Sequence, residues 1–442
     1  MKDGYLKVEQ SSPLKGSVDL VGAKNAVLVT IASLILTTGK SVLYNVPVSA
    51  DVFEMIELLR HLGVVVDFDI VNHQLLVDTT LMCSWSVSSV IMQKTRASIL
   101  IMGGLLARFG KARVGFPGGD VIGKRPIDYH VKNFQKMGVV VTQEDYYLST
   151  CADELKGARI VLEYPSVGAT ENILIAATRA KGITKIINAA CEPEVFDLIT
   201  CLKKMGAKIT IEVPATIIIE GVEILHPIEH TIMFDRLEAG SLLIAAAATG
   251  GEITLSQACV DHLDIVLLKL EEMGHTIIVG DNGQGVYLKA TKSPKAVSFK
   301  TGPFPGFPTD LQAPMMALQS VATGISVIEE TVFENRFHHV HELNKMGASI
   351  RIDGNKAIVT GVECLYGTEV VATDIRASTA LVIAGLGAQG TTTVYGLNHW
   401  KRGYEALDKK LQQLGASVIV HDEQDLEIII DDYKTWEKHG LR

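Results

Sequence analysis

Apolar and polar positions along this chain fall into two phrases, each of which recurs six times. The shorter phrase is a helix-period stretch ending in Leu or Met, then Gly, then a run of β-branched residues. Its copies read LLRHLGVVVDF, NFQKMGVVVTQ, CLKKMGAKITI, KLEEMGHTIIV, ELNKMGASIRI and KLQQLGASVIV. Apolar residues at i, i+3 or i+4 predict a helix with one buried face. The glycines Gly63, Gly138, Gly206, Gly274, Gly347 and Gly415 suit the position just past a helix end, where a left-handed backbone costs glycine nothing. The Val/Ile runs that follow predict strands.

The longer phrase precedes each of these. It is a helix rich in small residues, a Gly or short polar step, and a strand: AKNAVLVTIASLILTTGKSVLYNV, TRASILIMGGLLARFGKARVGF, GATENILIAATRAKGITKIINA, EAGSLLIAAAATGGEITLSQA, DLQAPMMALQSVATGISVIEETV and IRASTALVIAGLGAQGTTTVYGL. Ala, Ser and Gly let backbones approach closely, so these are expected as buried central helices. Each unit is therefore helix, strand, helix, strand, with a period of about 70 residues, longer than most solenoid repeats. Six units divide as three plus three. The expected domains are residues 23–232 and residues 1–22 together with 233–442. The N-terminal strands LKVEQ and GSVDL complete the second domain, with crossovers near Gly22 and Met233.

Composition narrows the partners. The 442 residues carry a net charge of −9, with 47% hydrophobic and 21% charged positions. This is globular protein, without the broad basic surface that nucleic acid or an anionic membrane requires. A local cluster of cations would still hold an anionic small molecule. No leader opens the chain, no apolar run reaches the roughly 18 residues of a membrane span, and the expected location is the cytoplasm. The six cysteines are scattered, without CxxC or metal-like spacing, and read as reduced thiols.

Charge collects at the predicted helix starts. First helices begin with Lys24 and Asn25, Arg96, Ser166 with Gly168 and Thr170, Asp235 with Arg236, Asp310, and Asp374 with Arg376. Second helices begin with Arg125, Glu192 and Glu194, His262, Arg336 and Arg402. Helix N-termini favour anions, so cations there oppose the dipole. Either they await an anionic ligand or each pairs with a nearby acid. Lys24, Arg96, Arg125 and Arg402 could clamp a phosphate-carboxylate, arginine gripping both groups in bidentate fashion. Asp310, in FPTDLQA, is either a helix cap or a general base for a hydroxyl. The trio His338, His339 and His341 lacks metal-ligand spacing and reads as cap or core. GDNGQG from Gly280 precedes a strand and is a turn, where a phosphate loop would need a helix.

The motifs GAKNAVL, TRAS, PGGDVIGKRPIDYH, SVGATEN, CEPEVFD, FPTDLQA, ETVFENRF, ATDIRAS and KRGYEALDKKL stand in order from about Leu6 to about Val420. Together they resemble the UDP-N-acetylglucosamine enolpyruvyl transferases. The resemblance implies an α/β fold of two inverse barrel-like domains, each of three repeats, with the active site in the cleft between them. It implies transfer of enolpyruvyl from phosphoenolpyruvate to the 3-hydroxyl of UDP-N-acetylglucosamine through a tetrahedral phospho-ketal. That is the first committed step of peptidoglycan synthesis and needs no cofactor or metal. Lys24, Arg96, Arg125 and Arg402 would hold phosphoenolpyruvate. Asn25, Asp310 and the backbone beside Val332 would hold the sugar, Asp310 taking the hydroxyl proton. Arg125, Pro126, Ile127, Asp128 and Tyr129, with Ser166, Val167 and Gly168, would hold the nucleotide. Arg336 and Arg376 would link the domains on closure.

The chain departs from the family pattern at two positions. Tyr164 stands where the family usually has Lys, and Asp120 where it usually has Cys. Asp120 is expected to act as the acid that protonates the phosphoenolpyruvate methylene. A carboxylic acid does this near neutral pH only when desolvation keeps its proton on. Fosfomycin alkylates the thiolate of the usual enzyme, so a carboxylate at this position implies resistance. Two other readings remain: the sister enzyme that makes 5-enolpyruvylshikimate 3-phosphate, and a non-catalytic UDP-sugar-binding paralogue. The sister has a Lys-Ser pair where GAKNAV stands here. The retained Lys24, Asp120, Asp310 and Arg402 speak against the paralogue.

Overall fold

The structure, a computed structural model, describes residues 4–120 and 127–422. It holds six sheets of four strands, one for each sequence repeat. Five sheets share one plan, in which a short edge strand runs parallel to the next strand, which then pairs antiparallel with a hairpin; in the sixth, two strands distant in sequence stand in place of the hairpin. In the first repeat, Glu229–Thr231 lies parallel to Lys40–Tyr44, followed by Gln74–Asp78 and Val65–Asp69. All six glycines of the shorter phrase are left-handed, with φ of 88–106°, which explains why glycine recurs there.

Strands distant in sequence close both halves of the molecule. Glu229–Thr231, at the end of the third repeat, returns to the sheet of the first. Tyr5–Glu9 lies between Thr391–Tyr395 and Val418–His421 in the sixth sheet, and Lys15–Ser17 runs parallel to Glu252–Cys259 in the fourth. The two connecting segments run side by side. The Ala23 N–H donates to the Met233 carbonyl at 2.7 Å, and the Asp235 N–H to that of Val21 at 2.9 Å.

The apolar core forms two clusters. One spans Ala23 to Ile232; the other joins Leu6–Leu20 to Leu237–Val418. The small-residue helices lie at their centres. Lys24–Ser33 is buried at every position except Asn25; Arg236–Ala248 and Ile375–Gly387 are buried along nearly their whole length. Because the cores are filled by these helices, their polar first residues gather where the two halves face each other. Among the described residues, no helix is long and apolar enough to cross a membrane.

Candidate active site

A cavity of about 520 Å³ lies between the halves. From the first half it is lined by Lys24, Asn25, Asp51, Arg96, Asp120, Tyr129, His130, Tyr164, Ser166, Val167 and Gly168. From the second it is lined by Asp310, Val332, Arg336, Arg376 and Arg402. Most residues singled out in the sequence therefore meet in one place. Ile127 and Asp128 do not line it: Ile127 packs against the first core, and the Asp128 carboxylate accepts from Lys132 at 3.2 Å. Arg125 and Pro126 lie outside the described residues.

One wall is a chain of alternating charges. Lys24 Nζ is 3.1 Å from Asp51 Oδ2, and Arg402 Nε donates to Asp51 Oδ1 at 2.9 Å. Arg402 also donates to Asp120 Oδ1 at 2.9 Å, and His399 Nδ1 stands 3.8 Å from the same oxygen. Burial pushes the Asp51 carboxyl up, but Lys24 and Arg402 override it and hold the group below its usual range. Asp120 is placed by a chain segment that needs glycine. Gly118 donates to the Met92 carbonyl at 3.2 Å, and a Cβ there would lie 1.7 Å from the Gln93 oxygen.

The opposite wall centres on Asp310. It caps no helix: Arg336 NH2 lies 2.6 Å from one carboxylate oxygen and Arg376 NH2 2.7 Å from the other. Burial would raise this carboxyl, yet Arg376 and Arg336 hold it far below the ordinary carboxylate range. Arg336 and Arg376, expected to link the halves, thus both end on an acid of their own half. Arg402 does cross between the halves, as does Arg236, which meets Glu194 at 3.0 and 3.2 Å. Arg402 itself is not at a helix start. It lies in the last turn of a short helix, Leu397–Gly403, that left-handed Gly396 opens ahead of the repeat helix Leu407–Gln413.

A third wall offers nucleotide-sized polar contacts. Ser166 caps the helix Val167–Ala177, its hydroxyl accepting from the Ala169 N–H at 3.4 Å. The first N–H groups of that helix have no acceptor within it. Tyr164 and Tyr129 flank them. Burial, with Glu192, Glu330 and Tyr129 close by, pushes the Tyr164 phenol up to about 12, so it stays neutral. His130 is pushed down to about 4 by burial and by Arg96, and its Nδ1 meets Asn172 Nδ2 at 3.0 Å. The Val332 N–H donates to Glu330 at 2.8 Å.

Of the two readings of these cations, the structure shows the pairing with acids. Lys24, Arg236, Arg336, Arg376 and Arg402 each pair with an acid, and those acids are part of the cavity wall. Sequence reasoning missed Asp51, Glu171 and His399. Asp51 looks like an ordinary first-turn acid complementing its helix dipole. Glu171 sits inside SVGATEN, and burial with Glu194 and Glu192 nearby keeps its carboxyl well above the usual range. His339 is buried beside Phe337, and GDNGQG is a turn between strands.

The family model described as EPSP synthase (3-phosphoshikimate 1-carboxyvinyltransferase) matches residues 8–426. Two proteins of Caldanaerobacter subterraneus subsp. tengcongensis are similar over nearly their whole length. UDP-N-acetylglucosamine 1-carboxyvinyltransferase 1 is 47% identical over 411 residues, covering 93% of this chain and 98% of that protein. UDP-N-acetylglucosamine 1-carboxyvinyltransferase 2 is 45% identical over 419 residues, covering 94% and 99%. Among solved structures, the enolpyruvyl transferase NikO from Streptomyces tendae superposes with a TM-score of 0.86 at 23% identity, covering 96% of this chain and 100% of that one. EPSP synthase from Acinetobacter baumannii gives a TM-score of 0.75 at 18% identity, covering 95% and 100%. These structures share the fold.

Proposed function

The chain belongs to the EPSP synthase (3-phosphoshikimate 1-carboxyvinyltransferase) family, and from that premise we propose that it transfers enolpyruvyl from phosphoenolpyruvate to the 3-hydroxyl of UDP-N-acetylglucosamine, releasing phosphate. The observation that carries this reading is the single cavity in which Lys24, Arg96, Arg402 and Asp120 face Asp310. The choice of acceptor rests on 45–47% identity to proteins named for it, against 18% to an EPSP synthase. The halves 23–232 and 1–22 with 233–442 act as the two domains that enclose the substrates. The product is a cytoplasmic peptidoglycan precursor.

The residues divide the work as follows. Lys24, Arg96, Arg125 and Arg402 take the phosphate and carboxylate of phosphoenolpyruvate. The helix start at Ser166, Val167 and Gly168, with Arg125, Pro126 and Tyr129, takes the nucleotide. Asn25 and the Val332 carbonyl orient the sugar. Asp120 protonates C3 of phosphoenolpyruvate while the sugar oxygen adds to C2, giving the tetrahedral ketal. Loss of the C3 proton then expels phosphate. Closure around the ketal keeps water out.

Asp310 sharpens the mechanism. A carboxylate gripped by two arginines is a poor base. It gains basicity only if Arg336 and Arg376 turn toward the bound substrate, so the hydroxyl proton is taken after the ligand anions have arrived. The deciding assay measures phosphate release from phosphoenolpyruvate with each acceptor. Release with UDP-N-acetylglucosamine supports the reading. Release with shikimate 3-phosphate alone, or with neither, overturns it.

A further inference from the structure

We propose that His399 is a positioning residue for Asp120, holding the proton that Asp120 delivers and takes back in each turnover. The inference rests on the reading of Asp120 as the acid. Asp120 meets Arg402 at 2.9 Å on Oδ1, and an acid that gives up a proton in each turnover needs it replaced. A donor must therefore be close by. His399 Nδ1 stands 3.8 Å from that same oxygen. It is buried, and among the described residues it has no hydrogen-bond partner.

A buried, unmatched ring nitrogen is costly and calls for a reason. Here the reason lies one side-chain rotation away. At 3.8 Å the two groups are beyond hydrogen-bond distance, and a turn of either ring or carboxylate closes the gap. The backbone holds the ring in place. Left-handed Gly396 (φ 89°) begins the helix, and a Cβ there would lie 2.8 Å from the Ala372 oxygen and 3.5 Å from His399 Cδ2. His399 and Arg402, three residues apart, share one helix face. One short element thus presents a permanent cation and a titratable base to the same carboxylate oxygen.

Among the described residues, the neighbouring charges are engaged with other partners. Asp51, from the helix Ala50–His61, holds both Lys24 and the far edge of Arg402. On the helix Ile375–Gly387, packed against this one, Arg376 is held by Asp310, and Asp374 accepts from the backbone N–H groups of Arg376 and Ala377. Lys401 pairs with Asp422.

The proton balance closes. Substrate anions draw Arg402 away, and protonated His399 gives its Nδ1 proton to Asp120. Asp120 passes it to C3 as the alkene pair forms the C–H bond and the sugar oxygen bonds to C2, the hydroxyl proton passing to Asp310. On elimination the C3 proton returns through Asp120 to His399, the C2–O bond to phosphate breaks, and phosphate leaves with the Asp310 proton.

The test compares His399→Asn and His399→Gln with the parent and with Asp120→Asn, following kcat, both KM values and the pH profile of kcat. Loss of kcat by about 10²-fold or more, with KM values within about 2-fold, disappearance of one limb of the pH profile, and recovery of His399→Ala by added imidazole support the proposal. Unchanged kcat and an unchanged profile in the Asn and Gln variants overturn it while an inactive Asp120→Asn leaves the acid reading standing. Full activity of Asp120→Asn removes the acid reading itself. Raised KM or lowered Tm with the pH profile intact assigns His399 a merely structural role and also overturns the proposal.

Discussion

Replacing Asp51 by Asn tests whether this cleft carries its own counter-anion. The residue is 3% exposed, with Lys24 at 3.1 Å and Arg402 at 2.9 Å. At an effective dielectric constant near 20, each pair is worth about 5 kcal/mol of gross attraction. Arg402 keeps Asp120, and desolvation has already cancelled part of the gain. Breaking a buried pair by removing one partner costs about 3–5 kcal/mol. For a domain of about 150–250 residues that corresponds to a fall in Tm of order 10 °C. Asn preserves the shape, so the loss is one of charge. Inorganic phosphate should then stabilise the variant more than the parent, because the dianion replaces the missing carboxylate; saturation near 100 Kd is worth about 2.7 kcal/mol. The assay is a thermal melt with and without phosphate, with chloride as an ionic-strength control. An Asp51→Asn protein that melts within a degree of the parent, or a phosphate shift equal in both, refutes the argument.

Asp310→Asn should retain nucleotide binding by calorimetry while kcat falls about 10²–10⁴-fold; a kcat within about 3-fold of the parent removes its role as base. Fosfomycin should leave the parent active after prolonged incubation and inactivate Asp120→Cys progressively, because a thiolate is the better nucleophile; rapid inactivation of the parent counts against the assignment of Asp120. Acid should destabilise the fold through buried histidines. His130, His275 and His339 are each lowered from 6.5 to about 4, burial being the largest cause. Between those values the unfolded chain binds more protons than the folded one, so stability falls as pH drops from about 6.5 toward 4. His130→Gln should flatten that fall in melts run across the window; an unchanged slope refutes the contribution of His130.

The repeats were legible because they are local: the six glycines with positive φ, the apolar periodicity and the small-residue helices are each written within a dozen residues. The helix-start residues were legible for the same reason, since a repeat places equivalent positions on one face. What could not be read was pairing across the cleft. Nothing local to ADVFE tells that Asp51 meets Arg402, 351 positions away. Nor could the sequence show that Asp310 is gripped by two arginines of its own half, since charge type fixes attraction and not direction. His399 was passed over because a histidine in a short extra helix has no repeat equivalent to draw attention to it.

Four described cations of this site are each covered by an acid. Lys24 and Arg402 rest on Asp51 and Asp120, and Arg336 and Arg376 rest on Asp310. Substrate binding is therefore an exchange of anions and not the filling of an empty positive pocket. Such an exchange costs less desolvation than uncovering isolated charges would, and it couples binding to chemistry. On the proposed mechanism, the carboxylates that substrate displaces are Asp120 and Asp310, the two groups assigned the proton transfers of addition. While an arginine holds each, its oxygens are engaged, so on the proposed reading the chemistry waits until phosphate and carboxylate have arrived. A substrate lacking one anionic group would free only one of the two acids. It should bind and remain unreacted, which makes charge completeness, more than shape, the gate to turnover.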